Sequence, residues 1–255
     1  MFVPAILSKE KRNAVRDLLG QGLSDYEIAR HTGVNRGTVQ RWRLRGIPTP
    51  TIQFTVSPEE WDSDRCAAYS YLLGLYLGDG YVGTHARTFS LVIACDGQYK
   101  DLVAECRWVV DLFASRPSAL QIVGRTRGVR VVSYGQVWPL LFPQHGPGMK
   151  HERKIDLVDW QRAIVQTFPH QLIRGLIQSD GSRCFNTFSM KLKDGPKESS
   201  YPRYFFTNHS TDIQGIFSDA CDQLGIRWSQ SSWRNISISH RDSVAKLVEF
   251  VDPWS

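Results

Sequence analysis

LLGLYLGDG, residues Leu72–Gly80, sets bulky apolar residues around two glycines four positions apart and ends on an aspartate. The apolar run predicts a helix, and the two glycines together weaken it by about 2 kcal/mol relative to alanine. Residues four apart share one helix face, so Gly74 and Gly78 make a bare stripe that a second backbone can approach closely. Packing gained there offsets the cost, a logic known best from membrane helices.

The chain supplies the second helix itself. IRGLIQSDG, Ile173–Gly181, repeats the pattern in register: Gly74 matches Gly175, Gly78 matches Ser179, and Asp79 matches Asp180, 101 residues later. The parallel continues downstream. FSLVIACDGQYKDLVAECRWVVDLF (Phe89–Phe113) matches YFFTNHSTDIQGIFSDACDQLGI (Tyr204–Ile226), each a strand, a polar turn and an amphipathic helix. VRVVSYGQVWPLL (Val129–Leu141) matches NISISHRDSVAKLVEFV (Asn235–Val251), each a short strand pair running into a final helix. The predicted fold class is α+β, with αββαββα occurring twice about a pseudo-twofold and one antiparallel sheet in each half. If the glycine-striped helices pack about that axis, Asp79 and Asp180 arrive side by side.

The second half carries the longer first hairpin. Over Arg183–Lys193 the pattern alternates, with Arg183, Thr187, Ser189, Lys191 and Lys193 on one face and Cys184, Phe188, Met190 and Leu192 on the other, Phe185 and Asn186 breaking the rule. The first face is expected to be free and basic, the second to face the core.

Two carboxylates about 5 Å apart repel by roughly 3 kcal/mol at an effective dielectric of 20. An aspartate at a helix C-terminus is unfavourable on its own account, so two at matched positions point to a cation. Hard oxygen ligands favour magnesium, which keeps most of its waters and accepts phosphate oxygens.

Charge points to the substrate. The net charge is +6, and an excess of five positive charges lies within residues 1–50. A second basic region, 116–154, has seven Lys or Arg (Lys150, Arg153 and Lys154 among them) against Glu152 alone. Two basic regions in an otherwise mildly acidic chain suit a nucleic-acid partner. The five cysteines (Cys66, Cys95, Cys106, Cys184, Cys221) form no CxxC pair, which predicts free buried thiols in a reducing compartment. No run approaches the ~18 apolar residues of a membrane span; a cytoplasmic, nucleoid-associated protein with no membrane partner and no small-molecule cofactor is expected.

Between Leu23 and Gly46 the chain reads LSDYEIARHTGVNRGTVQRWRLRG. Ser24 and Glu27 form a capping box that starts a helix at Asp25, Gly33 ends it, and Asn35 caps the next. Val39 and Trp42 face inward on that second helix, while Arg36, Thr38, Gln40, Arg41 and Arg43 face out. The stretch from Ser8 to about Arg45 resembles a helix-turn-helix with its recognition helix second. Gln40 and Arg41 are then the expected base readers, and Arg36 and Arg43 the phosphate contacts. The domain boundaries follow: the module over 1–46, an extended Pro-containing linker over 47–62, and a duplicated body over 63–255 with repeats of about 63–160 and 161–255.

On its paired motifs, LLGLYLGDG and IRGLIQSDG with matching elements behind each, the body resembles the LAGLIDADG homing endonucleases in their single-chain, two-motif form. The resemblance implies double-stranded DNA carried on two saddle-shaped sheets. It also implies cleavage of both strands with metal held by Asp79 and Asp180. The pseudo-twofold body supplies both halves of an active site, so a monomer is expected to suffice, and the helical module could still dimerise on DNA. The family's active-site lysines match no motif in this chain, which leaves Lys150, Lys191 and Arg203 as candidates. HGPGMKHERKI (His145–Ile155) resembles the connection that precedes the second motif in many relatives. His145 and His151 lack partners at zinc spacing. Some bacterial regulators resemble the same family without cutting, so a non-cleaving DNA-binding regulator stands as the alternative.

Overall fold

The computed structural model describes residues 9–47, 56–124, 127–192 and 195–251, with side chains left aside at 9, 188–192 and 195–199. It divides into two compact units, Met1–Phe54 and Thr55–Ser255.

The first unit contains three helices: α1 (Lys9–Gly20), α2 (Asp25–Thr32) and α3 (Arg36–Arg45). The capping box forms as the residues dictate. The Ser24 backbone N–H donates to Glu27 Oε2 at 2.9 Å, and the Glu27 N–H donates back to Ser24 Oγ at 3.3 Å. Gly33 closes α2 at φ +66°, a left-handed conformation that suits glycine. Asn35 Oδ1 accepts from the Gly37 N–H at 2.9 Å and starts α3. Val15, Ile28, Val34, Val39 and Trp42 form the small core.

In the second unit, α4 (Ser63–Leu77), β1 (Gly80–Thr84), β2 (Phe89–Asp96), α5 (Lys100–Phe113), β3 (Ala119–Ile122), β4 (Gly128–Tyr134) and the short α6 (Trp138–Leu141) make the first half. After α7 (Asp159–Thr167) come α8 (Pro169–Asp180), β5 (Gly181–Leu192), β6 (Gly195–Thr207), α9 (Thr211–Gln223), β7 (Ser229–Ser232), β8 (Asn235–Ile238) and α10 (Arg241–Val251). The sheets run β1-β2-β4-β3 and β5-β6-β8-β7, antiparallel throughout and identical in order. The duplication is therefore a property of the fold. VRVVSYG and NISI each contribute one strand, and their partners β3 and β7 lie upstream of where the expected strand pairs began.

Both sheets and α4 and α8 share one apolar core. Leu91, Ile93 and Val131 fill it from the first sheet, Tyr204, Phe206 and Ile236 from the second. Burying each such side chain contributes about 1.5–3 kcal/mol. No helix among the described residues is long and apolar enough to cross a membrane.

Three expectations need correction. The linker is not extended throughout: residues 48–55 lie outside the described part, Ile47 packs on the module's core, and Pro58–Glu60 form a 3-10 turn. Trp61 sits against Tyr69, Phe113 and Trp160 at 5.3, 5.3 and 6.1 Å between ring centroids, so the body's packing begins before residue 63. The hairpin faces are also exchanged. Arg183 pairs across from Tyr204 on the core side, and exposed Cys184 pairs across from Arg203 on the open side. The hairpin runs beyond the core, where alternation no longer reports burial. The cysteines are all free, but only Cys106 and Cys221 are buried.

Candidate active site

Helices α4 and α8 cross with their backbones in contact at Gly74 and Gly175. A Cβ on Gly74 would lie 2.9 Å from both Gly175 Cα and the Leu176 nitrogen; one on Gly175 would lie 2.8 Å from the Leu75 nitrogen and 3.0 Å from Gly74 Cα. No side chain fits, and this close approach is the compensation the glycines required. One turn on, a Cβ at Gly78 would meet Ser179 Cβ at 2.6 Å and Asp180 Oδ2 at 3.4 Å. Ser179 turns its hydroxyl back to the carbonyls of Gly175 and Leu176, at 2.9 and 3.0 Å, and the same Oγ fills the space over Gly78, where a Cβ would collide with it. The crossing is clamped by Tyr71 Oη donating to Gln178 Oε1 at 2.6 Å and Ser70 Oγ donating to the Phe168 carbonyl at 2.9 Å.

The crossing delivers both aspartates to the same end. Burial first, then the charge of Asp180, pushes the Asp79 carboxyl from 3.8 up to about 6, with Lys150 opposing. The Asp79 side chain still reaches solvent, and water screens part of that repulsion. Burial also raises Asp180, against Asn208, Lys150 and His209, which lower it. Asn208 Nδ2 donates to Asp180 Oδ2 at 2.6 Å. The charge of Asp180 adds to the rise at Asp79, while the hydrogen bond from Asn208 works against the rise at Asp180.

Lys150 sits between the acids and the end of α4. Its Nζ donates to the carbonyls of Tyr76, Leu77 and Gly78 at 2.5, 2.9 and 2.6 Å. These are carbonyls a helix end leaves without an intrahelical partner, so the ammonium serves as a C-terminal cap. Desolvation lowers the Lys150 pKa to about 8, although both aspartates act to raise it. Its loop is braced: Arg153 Nη1 donates to the Gln144 carbonyl at 2.5 Å, and the Ile155 N–H donates to Asp212 Oδ2 at 2.7 Å.

The other sequence-derived residues separate into groups. Arg36, Gln40 and Arg41 are exposed on α3, and Thr38 is half-buried. Arg43 is committed within the module, to Asp25 Oδ1 at 2.7 Å and the Leu23 carbonyl at 2.5 Å, so it ties α3 to α2. Arg203 lies on the open face of the second sheet, 3.0 Å from Ser237 Oγ. Arg183 stacks 5.4 Å over Phe185 on the opposite face, Arg153 braces its loop, and Lys154 pairs with Asp156 at 3.3 Å. The Lys191 side chain and Lys193 lie outside the described part. Sequence reasoning missed Asn208 and His209. The signal for them was the paired repeat: in strand register they occupy the positions of Cys95 and Asp96 in the first half.

Two carboxylates, one from each helix, held together against their repulsion are a hard-oxygen donor set that fits a divalent cation such as magnesium. Among the described residues no group of three or more His, Cys, Asp or Glu could enclose a metal, so the remaining ligands would be water and substrate oxygen, as magnesium prefers.

No protein-family model matches the chain, and no curated protein matches it. Solved structures do. I-DmoI in complex with DNA and calcium is 17% identical, covers 73% of this chain and 90% of its own, and superposes with a TM-score of 0.47. The I-LtrWI LAGLIDADG homing endonuclease bound to target DNA is 10% identical over 74% of this chain and 84% of its own, at 0.48. The N-terminal LAGLIDADG domain of DUF199/WhiA is 12% identical over 80% and 86%, at 0.43.

Proposed function

We propose that this chain is a sequence-specific double-stranded DNA endonuclease of homing type, dependent on a divalent cation and acting as a monomer. Its N-terminal unit would be a helix-turn-helix reader of the same DNA. The observation that carries the reading is the glycine crossing that brings Asp79 and Asp180, each at the end of its helix, to one place between two matched sheets.

Asp79 and Asp180 would hold the cation, which supplies Lewis acidity toward the scissile phosphate and an activated water. The protein's own groups set the stage. Asn208 fixes the Asp180 carboxylate, and Lys150 caps α4 while offsetting one of the two negative charges. The open sheet faces, with Tyr81, Tyr134 and Arg130 on the first and Arg203 on the second, would lie along the duplex. On α3, Arg36 and Arg41 would contact phosphates and base edges with Gln40. The two halves have diverged in their strand residues, so the site recognised should be long and nearly asymmetric.

One observation favours the alternative, a non-cleaving DNA-binding regulator: the Lys150 ammonium already supplies a positive charge beside the paired acids. Incubation with a randomised duplex library, in magnesium and in EDTA, beside an Asp79→Asn/Asp180→Asn variant, decides between them. Discrete ends that need magnesium and vanish in the variant are expected. Fragments bound equally under all conditions, with no ends, would leave the regulator.

A further inference from the structure

The two halves are unequal where they flank the acid pair. On the Asp180 side a pocket is lined by Gly78, Lys150, His151, Asp180, Asn208 and His209. The ring centroids of His151 and His209 are 5.5 Å apart, and His209 meets Trp233 edge-on at 5.0 Å and 82°. Trp233 is 66% exposed, an unusual cost for an indole. It is nevertheless held firmly. Gln214, nearly buried, donates from Nε2 to the Trp233 carbonyl at 3.2 Å and to the Asn208 carbonyl at 2.8 Å, and its Oε1 accepts from Gln230 at 2.7 Å. One side chain thus fixes the turn carrying the indole and the turn carrying the Asp180 partner.

In strand register, His209 corresponds to Asp96 and Trp233 to Gly128. The first half therefore presents a carboxylate and no ring where the second presents an imidazole and an indole. The cavity beside Asp79 is lined instead by Cys95, Asp96, Tyr99 and Cys106, with no cation among its lining residues.

We infer that the Asp180 side is a nucleotide subsite, in which Trp233 stacks on a nucleobase while His151 and His209 donate hydrogen bonds to the adjoining phosphate and the Lys150 ammonium, its three N–H groups held by the α4 carbonyls, adds positive charge beside it. An imidazole offers an N–H in either protonation state, so the contact does not depend on its charge. An exposed aromatic beside phosphate donors is how proteins seat an unstacked base without reading its identity, so the base would leave the duplex stack here. The first half repels the corresponding phosphate of the other strand with Asp96, so the two strands are treated differently: the strand entering the Asp180 side is held more tightly and cut first. This rests on the endonuclease reading.

The test uses the full chain and a duplex recovered in the library selection, with 2-aminopurine placed in turn beside each half of the site, bound in EDTA so that cleavage is not needed. A fluorescence change confined to one half-site is expected, lost in Trp233→Ala and kept in Trp233→Phe, with affinity for Trp233→Ala reduced about tenfold or more. In magnesium, with the strands labelled separately, Trp233→Ala and His209→Ala should slow one strand and spare the other. Fluorescence that ignores Trp233, or equal slowing of both strands, would overturn the subsite and leave the nuclease reading intact. If the chain binds but never cuts, the Trp233-dependent fluorescence still stands and only the nuclease reading falls. Absence of any bound duplex would overturn both.

Discussion

Replacing Gly74 with alanine sets two effects of opposite sign against each other. In an isolated helix the change stabilises by about 1 kcal/mol. At this crossing the new Cβ would lie 2.9 Å from Gly175 Cα and the Leu176 nitrogen, against about 3.5–4 Å for ordinary carbon contacts. The neighbours are backbone and cannot rotate away, so α4 and α8 must part by roughly 0.5–1 Å. Overpacking of this kind costs about 1–3 kcal/mol, and here the strain falls on the centre of the shared core, so a net destabilisation of about 1–2 kcal/mol is expected. Urea unfolding followed by circular dichroism would show a lower midpoint at an unchanged slope. Gly74→Ala/Gly175→Ala should cost a different amount from the sum, since the two sites touch. A Gly74→Ala protein more stable than the wild type would refute the close crossing and with it the mechanism that pairs the acids.

The Asp79 carboxyl, raised from 3.8 to about 6, favours the folded state when protonated, so its contribution is complete below about pH 4 and is lost as pH rises through 6. Asp79→Asn should flatten that part of the stability profile, and Asp180→Asn should move the Asp79 carbon resonance to a lower midpoint in a pH titration. Lys150→Met leaves three carbonyls of the α4 end without a donor and both acids without their cation. A loss of about 2–4 kcal/mol by urea unfolding is expected, and magnesium should recover part of it in the wild-type acid background but not in Asp79→Asn/Asp180→Asn. Ser24→Ala removes the α2 cap and should cost about 1 kcal/mol, read as faster hydrogen exchange over α2 and α3 with exchange in the body unchanged.

Much of this is legible in the sequence, for identifiable reasons. The glycine stripes and the matched aspartates repeat at a fixed offset, and helix geometry turns that spacing into a shared face. Ser24, Glu27, Gly33 and Asn35 act within a few residues of themselves, so local chemistry sufficed to find both helices of the N-terminal unit. What escaped was set by contacts across the chain. Lys150 reaches carbonyls more than seventy positions upstream, and Arg43 is claimed by Asp25; neither partner is marked by spacing. The β5 faces were exchanged because a hairpin that outruns its core loses the link between alternation and burial. Asn208 and His209 fall within a polar turn and Trp233 in no motif, and only the strand register sets them against Cys95, Asp96 and Gly128.

The central claim is that Asp79 and Asp180 form one cation site that cuts DNA. Its most direct test is strand-resolved cleavage of a selected duplex in magnesium by the wild type, Asp79→Asn, Asp180→Asn and the double variant. The account predicts two cuts by the wild type, severe loss with either single change, and none with both. Undiminished cleavage by the double variant would contradict it.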